Sequence, residues 1–439
     1  MKARNRIKTG IAWHDTIPEE WRIMRVKDGH RIVGGGTPSA TEIGVGREVM
    51  WATPSDFSTA QRKLEATSRS ISAAGHKEIG RAIVGRNGVL VSCRAPAGKV
   101  ALPTSPMAFN QGCKGLSPRG ANIHRPWFFY ALVAQRAQIE EAAKGATFTE
   151  ISGEALKRVS FPKPPYEEQV RIASWLDLQV GRVESRLALN ERKRELLTEL
   201  RKTTIHHATL RGLDPNVELR DTKVSWIGLA PSHWSIVRIA DLFHEVTDPG
   251  SEGLPMLSVS IHSGISDREL DDDEMDRKVN RSADKSKYKR IRTGDLVYNM
   301  MRAWQGAFGT AKIDGLVSPA YVVARPKAKV CAAYVEHLLR GPAGIEEMRR
   351  RSRGITDFRL RLYWDEFKNI RIALPPEHEQ AMIAKFVDGK VAQINKQIKQ
   401  LGRLDELLEE QRDSMIHAAI NGEVDLSSYE RVSAKPLAA

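Results

Sequence analysis

The feature that most constrains this chain is an internal duplication that spans nearly all of it. The stretch TGIAWHDTIPEEW (Thr9 to Trp21) matches TKVSWIGLAPSHW (Thr222 to Trp234), with a threonine, a proline and two tryptophans aligned at an offset of 213 residues. Later, PPYEEQ (Pro164 to Gln169) returns as PPEHEQ (Pro375 to Gln380) at an offset of 211 residues. A repeat of this length indicates a duplicated domain with its connector, not a solenoid unit.

A long helix is predicted to follow each pair of prolines, because proline before a helix and glutamate in its first turn both favour a helix start. Side chains then step by alternating fours and threes, and this mean step of 3.5 residues predicts a left-handed coiled-coil seam. About forty residues at ~1.5 Å each give a rod of roughly 60 Å. Gly212 and Gly422 mark the predicted helix ends. The apolar seam positions are Leu176, Val180, Val183, Leu187, Val387, Val391, Ile394 and Ile398.

The remainder of each copy is predicted to be a mixed globule of strands and helices. Asn87 to Leu102 and Thr293 to Ile313 each contain a turn glycine, a buried β-branched strand and an Arg-Ala-x-x-Gly turn. A helical segment follows in each copy, near 127–143 and 334–351.

The predicted fold class is therefore α+β, with two pseudo-repeated mixed α/β globules separated by two long helices. Two-fold pseudosymmetry of the duplicated chain predicts that the helices pack as an antiparallel coiled coil. The expected boundaries are 1–160 for the first globule, 161–213 for the first spacer helix, 214–372 for the second globule, 373–426 for the second spacer helix and 427–439 for a C-terminal tail.

The Pro-Pro-Tyr of the first helix start is also found in the catalytic loop of DNA adenine methyltransferases, where the preceding residue accepts a hydrogen bond from the target amine. Here that residue is Lys163, which has no acceptor. The second copy also lacks the aromatic residue, so a structural role is favoured.

The sequence predicts no catalytic residues, no metal site and no cofactor. No phosphate-binding loop of the Gly-x4-Gly-Lys-Ser/Thr type occurs. The acidic stretch Asp271 to Asp276 is interpreted as a solvated loop and not as a nuclease centre.

Charge and cysteine usage limit the partners and the compartment. With 68 Lys plus Arg against 54 Asp plus Glu, the net charge is +14, which favours an anionic partner such as nucleic acid. Three widely spaced cysteines form no disulfide framework, so a reducing cytoplasm is expected. The basic N-terminus lacks the apolar core of a signal peptide, and no apolar run is long enough to span a membrane.

The repeated IPEEW and APSHW starts, the PPYEEQ and PPEHEQ helix entries and the junction between the copies resemble the DNA-specificity subunit of type I restriction-modification enzymes. The resemblance covers roughly residues 10 to 426. It implies two target-recognition domains, each binding one half of a bipartite target on double-stranded DNA. Because the two domains differ outside the framework, the target would be asymmetric. The long helices would set the gap between the half-sites.

The resemblance also implies partners and a division of labour. The chain would dock two methyltransferase subunits, and the assembly would recruit ATP-dependent restriction subunits. It would itself be non-catalytic within an adenine-specific DNA methyltransferase and ATP-dependent site-specific deoxyribonuclease. Two alternatives remain open, a free-standing DNA-binding regulator and a coiled-coil adaptor that binds no DNA.

Basic residues in turns are the candidates for DNA contact. Arg94 and Arg302 recur at matching positions, so they are expected to contact phosphate or to belong to the framework. The full set of candidates is Arg94, Lys99, Lys114, Arg119, Arg302, Lys312, Arg351 and Arg353.

Overall fold

The structure is a computed structural model of the chain. The acidic stretch Asp271 to Asp276 lies outside the described residues, as does the C-terminal tail except for residue 429. The residues that the structure describes are 5–11, 13–44, 46, 48–57, 62–80, 82–94, 97–120, 122–143, 150–261, 263–268, 285–355, 359–426 and 429.

The chain forms two compact units, and each long helix contributes to both. Unit 1 comprises Met1–Asn190 and Arg403–Ala439, and unit 2 comprises Glu191–Gly402. No helix among the described residues combines the length and apolar character needed to cross a lipid bilayer.

Unit 1 contains the first thirteen strands, the first five helices and the beginning of the sixth. The strands are β1 (Arg6–Ile11), β2 (His14–Pro18), β3 (Arg22–Arg25), β4 (His30–Gly34), β5 (Ile43–Gly44), β6 (Val49–Ala52), β7 (Lys63–Leu64), β8 (Ser70–Ile71), β9 (Val89–Ser92), β10 (Val100–Pro103), β11 (Ala108–Phe109), β12 (Cys113–Pro118) and β13 (Ser160–Lys163). The helices are α1 (Val26–Gly29), α2 (Ala73–Glu78), α3 (Arg125–Ala134), α4 (Arg136–Ala143), α5 (Gly153–Arg158) and α6 (Tyr166–Arg211).

Unit 2 has a similar order of elements, with twelve strands among its described residues. The strands are β14 (Leu219–Asp221), β15 (Leu229–Pro231), β16 (Ser235–Arg238), β17 (Phe243–Val246), β18 (Val259–Ser260), β19 (Gly264–Ile265), β20 (Lys289–Ile291), β21 (Leu296–Asn299), β22 (Phe308–Thr310), β23 (Gly315–Val317), β24 (Tyr321–Pro326) and β25 (Arg371–Leu374). The helices are α7 (Ile239–Leu242), α8 (Ala332–Arg340), α9 (Pro342–Arg351), α10 (Trp364–Phe367) and α11 (Glu377–Ile420).

The same sheet forms the centre of both units. Unit 1 has the strand order β4-β12-β9-β10, extended by β7, and unit 2 has β17-β24-β21-β22. The β4-β12, β12-β9 and β9-β10 pairs and their counterparts in unit 2 are antiparallel. The duplication found in the sequence is therefore a duplication of topology. The predicted α+β class, with two long helices packed together, is confirmed.

One further antiparallel pair closes each unit and leads into a long helix. Strand β13 pairs with β3, and β25 pairs with β16 in the equivalent register. The expected start of the first spacer at residue 161 therefore lies inside a strand, and residues 373 and 374 likewise belong to β25. These residues pair with a strand far away in the sequence, and local helix-start signals cannot reveal that pairing.

Apolar side chains fill a separate core in each unit. In unit 1, Trp127, Phe128 and Phe161 are fully buried and their rings pack edge to face or tilted. In unit 2, Tyr298 and Phe308 pack beside Phe367 in the same way. Aromatic pairs of this kind add to the free energy gained by burying their surface.

The two long helices are continuous over 46 and 44 residues, or roughly 69 and 66 Å at ~1.5 Å per residue. In unit 1, Asn190 Nδ2 donates to Asp405 Oδ1 at 2.7 Å, and Arg412 Nη1 donates to Glu184 Oε1 at 2.9 Å. From Glu184 to Asn190 the residue number increases along α6, while that of the partner on α11 decreases from 412 to 405. The helices run antiparallel within this unit.

The same direction holds in unit 2. Arg201 Nη1 donates to Asn395 Oδ1 at 2.9 Å, at the repeat position of the Arg412–Glu184 pair. Leu197, Ile394 and Leu401 form a small buried cluster, with the half-buried Ile398 packed against it. The seam therefore alternates apolar contacts with paired polar side chains.

The seam residues predicted from the heptad pattern all lie on the inner side of the helices. Leu176, Val183, Val387 and Ile394 are buried, whereas Val180, Leu187, Val391 and Ile398 are half-buried. Leu176 packs into the unit 1 core beside Ile416 of α11.

A Glu-Gln pair fixes the start of each long helix; Glu168, Gln169 and Gln380 are buried and Glu379 is half-buried. Glu168 Oε2 accepts from Trp21 Nε1 at 2.9 Å, and Glu379 Oε2 accepts from Trp234 Nε1 at 3.0 Å. The next residue, Gln169, accepts from the His124 backbone N–H at 2.8 Å and donates to the Pro164 carbonyl at 2.9 Å.

Gln380 repeats those two bonds in unit 2, with the Cys331 N–H and the Pro375 carbonyl, each at 2.8 Å. The recurrence of Glu-Gln in the sequence therefore has a structural cause. One dipeptide joins the repeated tryptophan, the start of the long helix and the start of α3 or α8.

A glycine ends each long helix as predicted and lies against the repeated tryptophan. Gly212 has a φ of +79° and its Cβ position would lie 3.3 Å from Trp234. Gly422 has a φ of +67° and its Cβ position would lie 3.0 Å from Trp21. Both positions combine a left-handed backbone with close packing, so glycine is required there.

Replacing Gln169 with leucine should destabilise unit 1 by about 2–6 kcal/mol, because a part-buried N–H and a buried carbonyl each lose a partner at about 1–3 kcal/mol. Denaturant unfolding of the full chain, followed by circular dichroism, measures this loss. Gln400→Leu is the matched control, because Gln400 is exposed on α11. Equal stability of the two variants would show that the buried bonds do not anchor the helix.

Leu197→Ala should cost about 2–4 kcal/mol, because it empties a buried position of the seam. The neighbouring Leu196 is 55% exposed, so Leu196→Ala should change stability by less than about 0.5 kcal/mol. Thermal and denaturant melts of both variants compare the two positions. If both variants lost stability equally, the seam would not be the packing face of α6.

Candidate nucleic-acid interface

Arginine side chains gather at the C-terminal end of α9 in unit 2. Glu347 is only 2% exposed, and its carboxylate accepts from Arg350 Nε at 2.8 Å and from Arg351 Nε at 2.9 Å. Positions three and four residues apart share a helix face, so one buried acid can orient both guanidinium groups. Cations also suit this helix end, where the backbone dipole is negative.

Two further elements pack against this helix end. The 3-10 turn Ala303–Gln305, which follows Arg302, contacts α9, and Arg349 Cζ lies 6.0 Å from the centre of the Trp304 ring. The Arg353 guanidinium donates to Glu366, whose helix α10 also contacts α9. Three of the predicted contacts, Arg302, Arg351 and Arg353, thus lie on elements that pack against one another.

The fourth predicted residue of unit 2 lies elsewhere. Lys312 is exposed and lies close enough to Asp388 of α11 to act on its carboxylate. The pKa of Asp388 is lowered, first by the hydrogen bond from His337 and to a smaller extent by the Lys312 charge. Lys312 therefore belongs to the surface between α8 and the long helix.

In unit 1 the predicted residues are dispersed. Arg94 Nε donates to Glu150 Oε2 at 2.9 Å, which offsets its charge at a half-exposed site. Burial raises the pKa of the Cys93 thiol to about 12, and Lys114, Glu150 and Arg94 lie near enough to influence it. Arg94 and Lys114 are thus neighbours around one buried thiol.

Arg119 and Lys99 lie apart from that pair. Arg119 is exposed and follows the end of β12, five residues or roughly 17 Å along an extended strand from Lys114. Lys99 is half-buried and precedes β10, where its backbone N–H donates to Ser92 Oγ at 2.9 Å.

Lys99 also lines a cavity of about 450 Å³ in unit 1, between α3, α6 and α11. Its polar wall includes Tyr130, whose hydroxyl donates to Asp177 Oδ1 at 2.9 Å, and Arg412, which pairs with Glu184. Burial raises the pKa of Tyr130 to about 12. The polar groups of this wall already bind one another. We therefore interpret the cavity as a gap in the packing where the helices meet, and not as a ligand site.

Some basic residues of the unit 2 surface were not among the predicted contacts. The sequence contains the run Arg349 to Arg351, but only Arg351 is among the predicted DNA contacts. Arg359 and Arg361 lie near this surface, because Arg361 forms an isolated antiparallel β-bridge with Arg353. Among the described residues, no group of His, Cys, Asp or Glu side chains could hold a metal ion.

Comparison with known proteins agrees with this architecture. Residues 18–198 match the family described as type I restriction modification DNA specificity domain. The MjaIX type I restriction enzyme specificity subunit of Methanocaldococcus jannaschii is 30% identical over 190 residues, which is 42% of this chain and 44% of that subunit. The EcoBI specificity subunit of Escherichia coli is 25% identical over 348 residues, or 73% of this chain and 70% of that subunit.

Two solved structures share the fold over most of their length. A chain from a structural study of assembly and conformational transition of the type I R-M system has a TM-score of 0.66 and 16% identity, covering 93% of this chain and 99% of that one. The HsdS subunit from Thermoanaerobacter tengcongensis has a TM-score of 0.50 and 17% identity, with 93% and 98% coverage. Residues 18–198 thus match the type I restriction-modification DNA-specificity family, and the chain is similar to its specificity subunits in sequence and in fold.

Proposed function

We propose that this chain is the sequence-specific DNA-binding subunit of a type I restriction-modification complex. The observation that carries the proposal is the duplicated framework. Each unit has the same central sheet, the same closing strand pair and the same Glu-Gln anchor of a long helix. One continuous helix leads from each of the two equivalent globules. This duplicated arrangement is suited to a bipartite target on duplex DNA.

The target is asymmetric, because equivalent surface positions in the two units carry different chemistry. The backbone N–H of Ile151 donates to the Cys93 carbonyl, and that of Leu362 donates to the Met300 carbonyl, so these positions correspond. The residue before Ile151 is an acid, Glu150, whereas the residue before Leu362 is Arg361. The two half-sites therefore meet surfaces of unlike charge.

The chain docks methyltransferase subunits, and the assembly recruits ATP-dependent restriction subunits. Adenine methylation and DNA cleavage belong to those partners, and this chain is the non-catalytic reader. Exposed leucines outside the seam support protein partners on the long helices. They are Leu189, Leu196, Leu200, Leu404 and Leu407, each between 45% and 68% exposed.

The similarity to specificity subunits across most of the chain disfavours a free-standing regulator or an adaptor that binds no DNA. DNA binding by the full chain, with and without co-expressed methyltransferase subunits, tests the choice. A regulator would bind its motif equally well alone, and an adaptor would bind none.

Binding to duplex DNA should weaken steeply with salt, because arginines and lysines release counterions from the phosphates they neutralise. For six to ten phosphate contacts, affinity should fall about 10³- to 10⁵-fold between 50 and 200 mM salt. Arg351→Ala should reduce the slope of log affinity against log salt by about one.

Filter binding or fluorescence anisotropy across a salt series measures that slope. Arg403→Ala is the matched control, because Arg403 is exposed on α11 and pairs with Glu406. A flat salt dependence of the wild-type chain would remove the physical basis for the nucleic-acid proposal.

The long helices set the gap between the half-sites. Inserting four residues between Thr198 and Thr203 lengthens α6 by ~6 Å at 1.5 Å per residue. At ~3.4 Å per base pair, the gap should grow by one or two base pairs while the half-site bases stay the same. Mapping of methylated motifs measures the gap, and continued methylation with an unchanged gap would rule out the ruler role.

A further inference from the structure

The chain that follows α9 in unit 2 forms a tight pair of extended segments. Arg353 and Arg361 exchange backbone hydrogen bonds, N–H to carbonyl in both directions, each at 2.9 Å. We name the described parts of this feature, residues 352–355 and 359–361, the arginine hairpin. It begins directly after the last arginine of α9.

The base of the arginine hairpin is closely packed at Gly354. A Cβ atom on Gly354 would lie 2.6 Å from the Arg359 carbonyl oxygen and 2.9 Å from the Leu360 nitrogen. Only glycine permits this approach. The backbone before Ile355 is therefore held in place by its neighbouring segment.

Ile355 has an unusual environment for an isoleucine. It is 96% exposed, whereas the next most exposed large apolar side chain of the described chain, Leu189, is 68% exposed. A side chain with this exposure buries almost no apolar surface, so it contributes little to the core. A binding role explains its position better than a folding role.

The surroundings of Ile355 are strongly basic. Between residues 347 and 361 the sequence holds six arginines against two carboxylates, Glu347 and Asp357. Glu347 orients two of these arginines, and Glu366 holds Arg353. The arginine hairpin thus exposes the apolar side chain of Ile355 close in sequence to arginines whose guanidinium groups are held by acids.

We propose that the arginine hairpin enters the major groove of DNA and that Ile355 contacts the 5-methyl group of a thymine in the half-site bound by unit 2. This inference rests on the proposed function. The major groove is about 12 Å wide and admits a two-stranded ribbon, whereas the minor groove is about 6 Å wide. The thymine methyl is the apolar group that base edges present in the major groove.

The described residues of unit 1 carry a different charge at the equivalent pairing position. Glu150 stands where unit 2 has Arg361, and its carboxylate accepts from Arg94. The proposed contact is assigned to the half-site bound by unit 2, and the other half-site serves as an internal control.

The test uses the full chain co-expressed with its methyltransferase subunits and a duplex library with two randomised blocks. Sequencing of bound duplexes gives the motif for the wild type, for Ile355→Ala and for the control Leu229→Ala. Leu229 is another exposed apolar residue of unit 2, 44% exposed. Ile355→Ala should lose about fourfold preference for thymine at one position of one half-site, the factor expected for burying one methyl group.

A second arm changes the DNA and leaves the protein intact. Deoxyuridine in place of that thymine should weaken wild-type binding by the same factor of about four and should not weaken Ile355→Ala further. Because this arm uses the wild-type chain, it is independent of how well a variant folds.

Two results would overturn the inference while leaving the proposed function intact. One is an Ile355→Ala motif identical to that of the wild type, and the other is equal wild-type affinity for thymine and deoxyuridine at every thymine of the motif. A wild-type complex that selects no motif at all would instead overturn the proposed function, and the inference with it.

Discussion

The Glu-Gln dipeptide at the start of each long helix is the constraint on which the rest of the structure depends. The glutamate binds the indole of a repeated tryptophan, and the glutamine bridges the helix start to the first turn of α3 or α8. Gln169 and Gln380 are almost fully buried, so their bonds form in a medium where unpaired polar groups are costly. The direction in which each long helix leaves its globule is thereby fixed.

Because the start of each long helix is anchored, the position along the seam at which each residue meets the other helix is also fixed. In the seam, apolar residues such as Leu197 and Ile394 alternate with paired polar ones, and the pairs Arg412–Glu184 and Arg201–Asn395 occupy equivalent repeat positions. Polar pairs in a helix seam contribute less to stability than apolar packing does, but they disfavour shifted registers. The polar pairs therefore favour a single register of the two helices.

The common framework is also compatible with the proposed binding of two different half-sites. Strand order and helix anchors are repeated, while the turns that project from them differ. Unit 2 concentrates arginines oriented by Glu347 and Glu366, whereas unit 1 pairs Arg94 with Glu150 and disperses its other basic residues. Changes in these turns leave the buried bonds of the framework untouched, so the recognised bases can vary while the scaffold stays the same.

The sequence by itself determined the duplication, the α+β class, the two long helices with their glycine ends and the inner face of the seam. Each of these follows from local spacing or from repetition, which a single chain displays directly. Only the tertiary structure decided what the Glu-Gln pairs bind, that Phe161 lies in a strand paired with β3, and which arginines share a surface. Those facts depend on contacts that are not local in the sequence, as between Met24 and Phe161 or between His124 and Gln169. The geometry of the arginine hairpin is not encoded in any sequence periodicity. The candidates Arg351 and Arg353 could therefore be named from the sequence, but Ile355 could not.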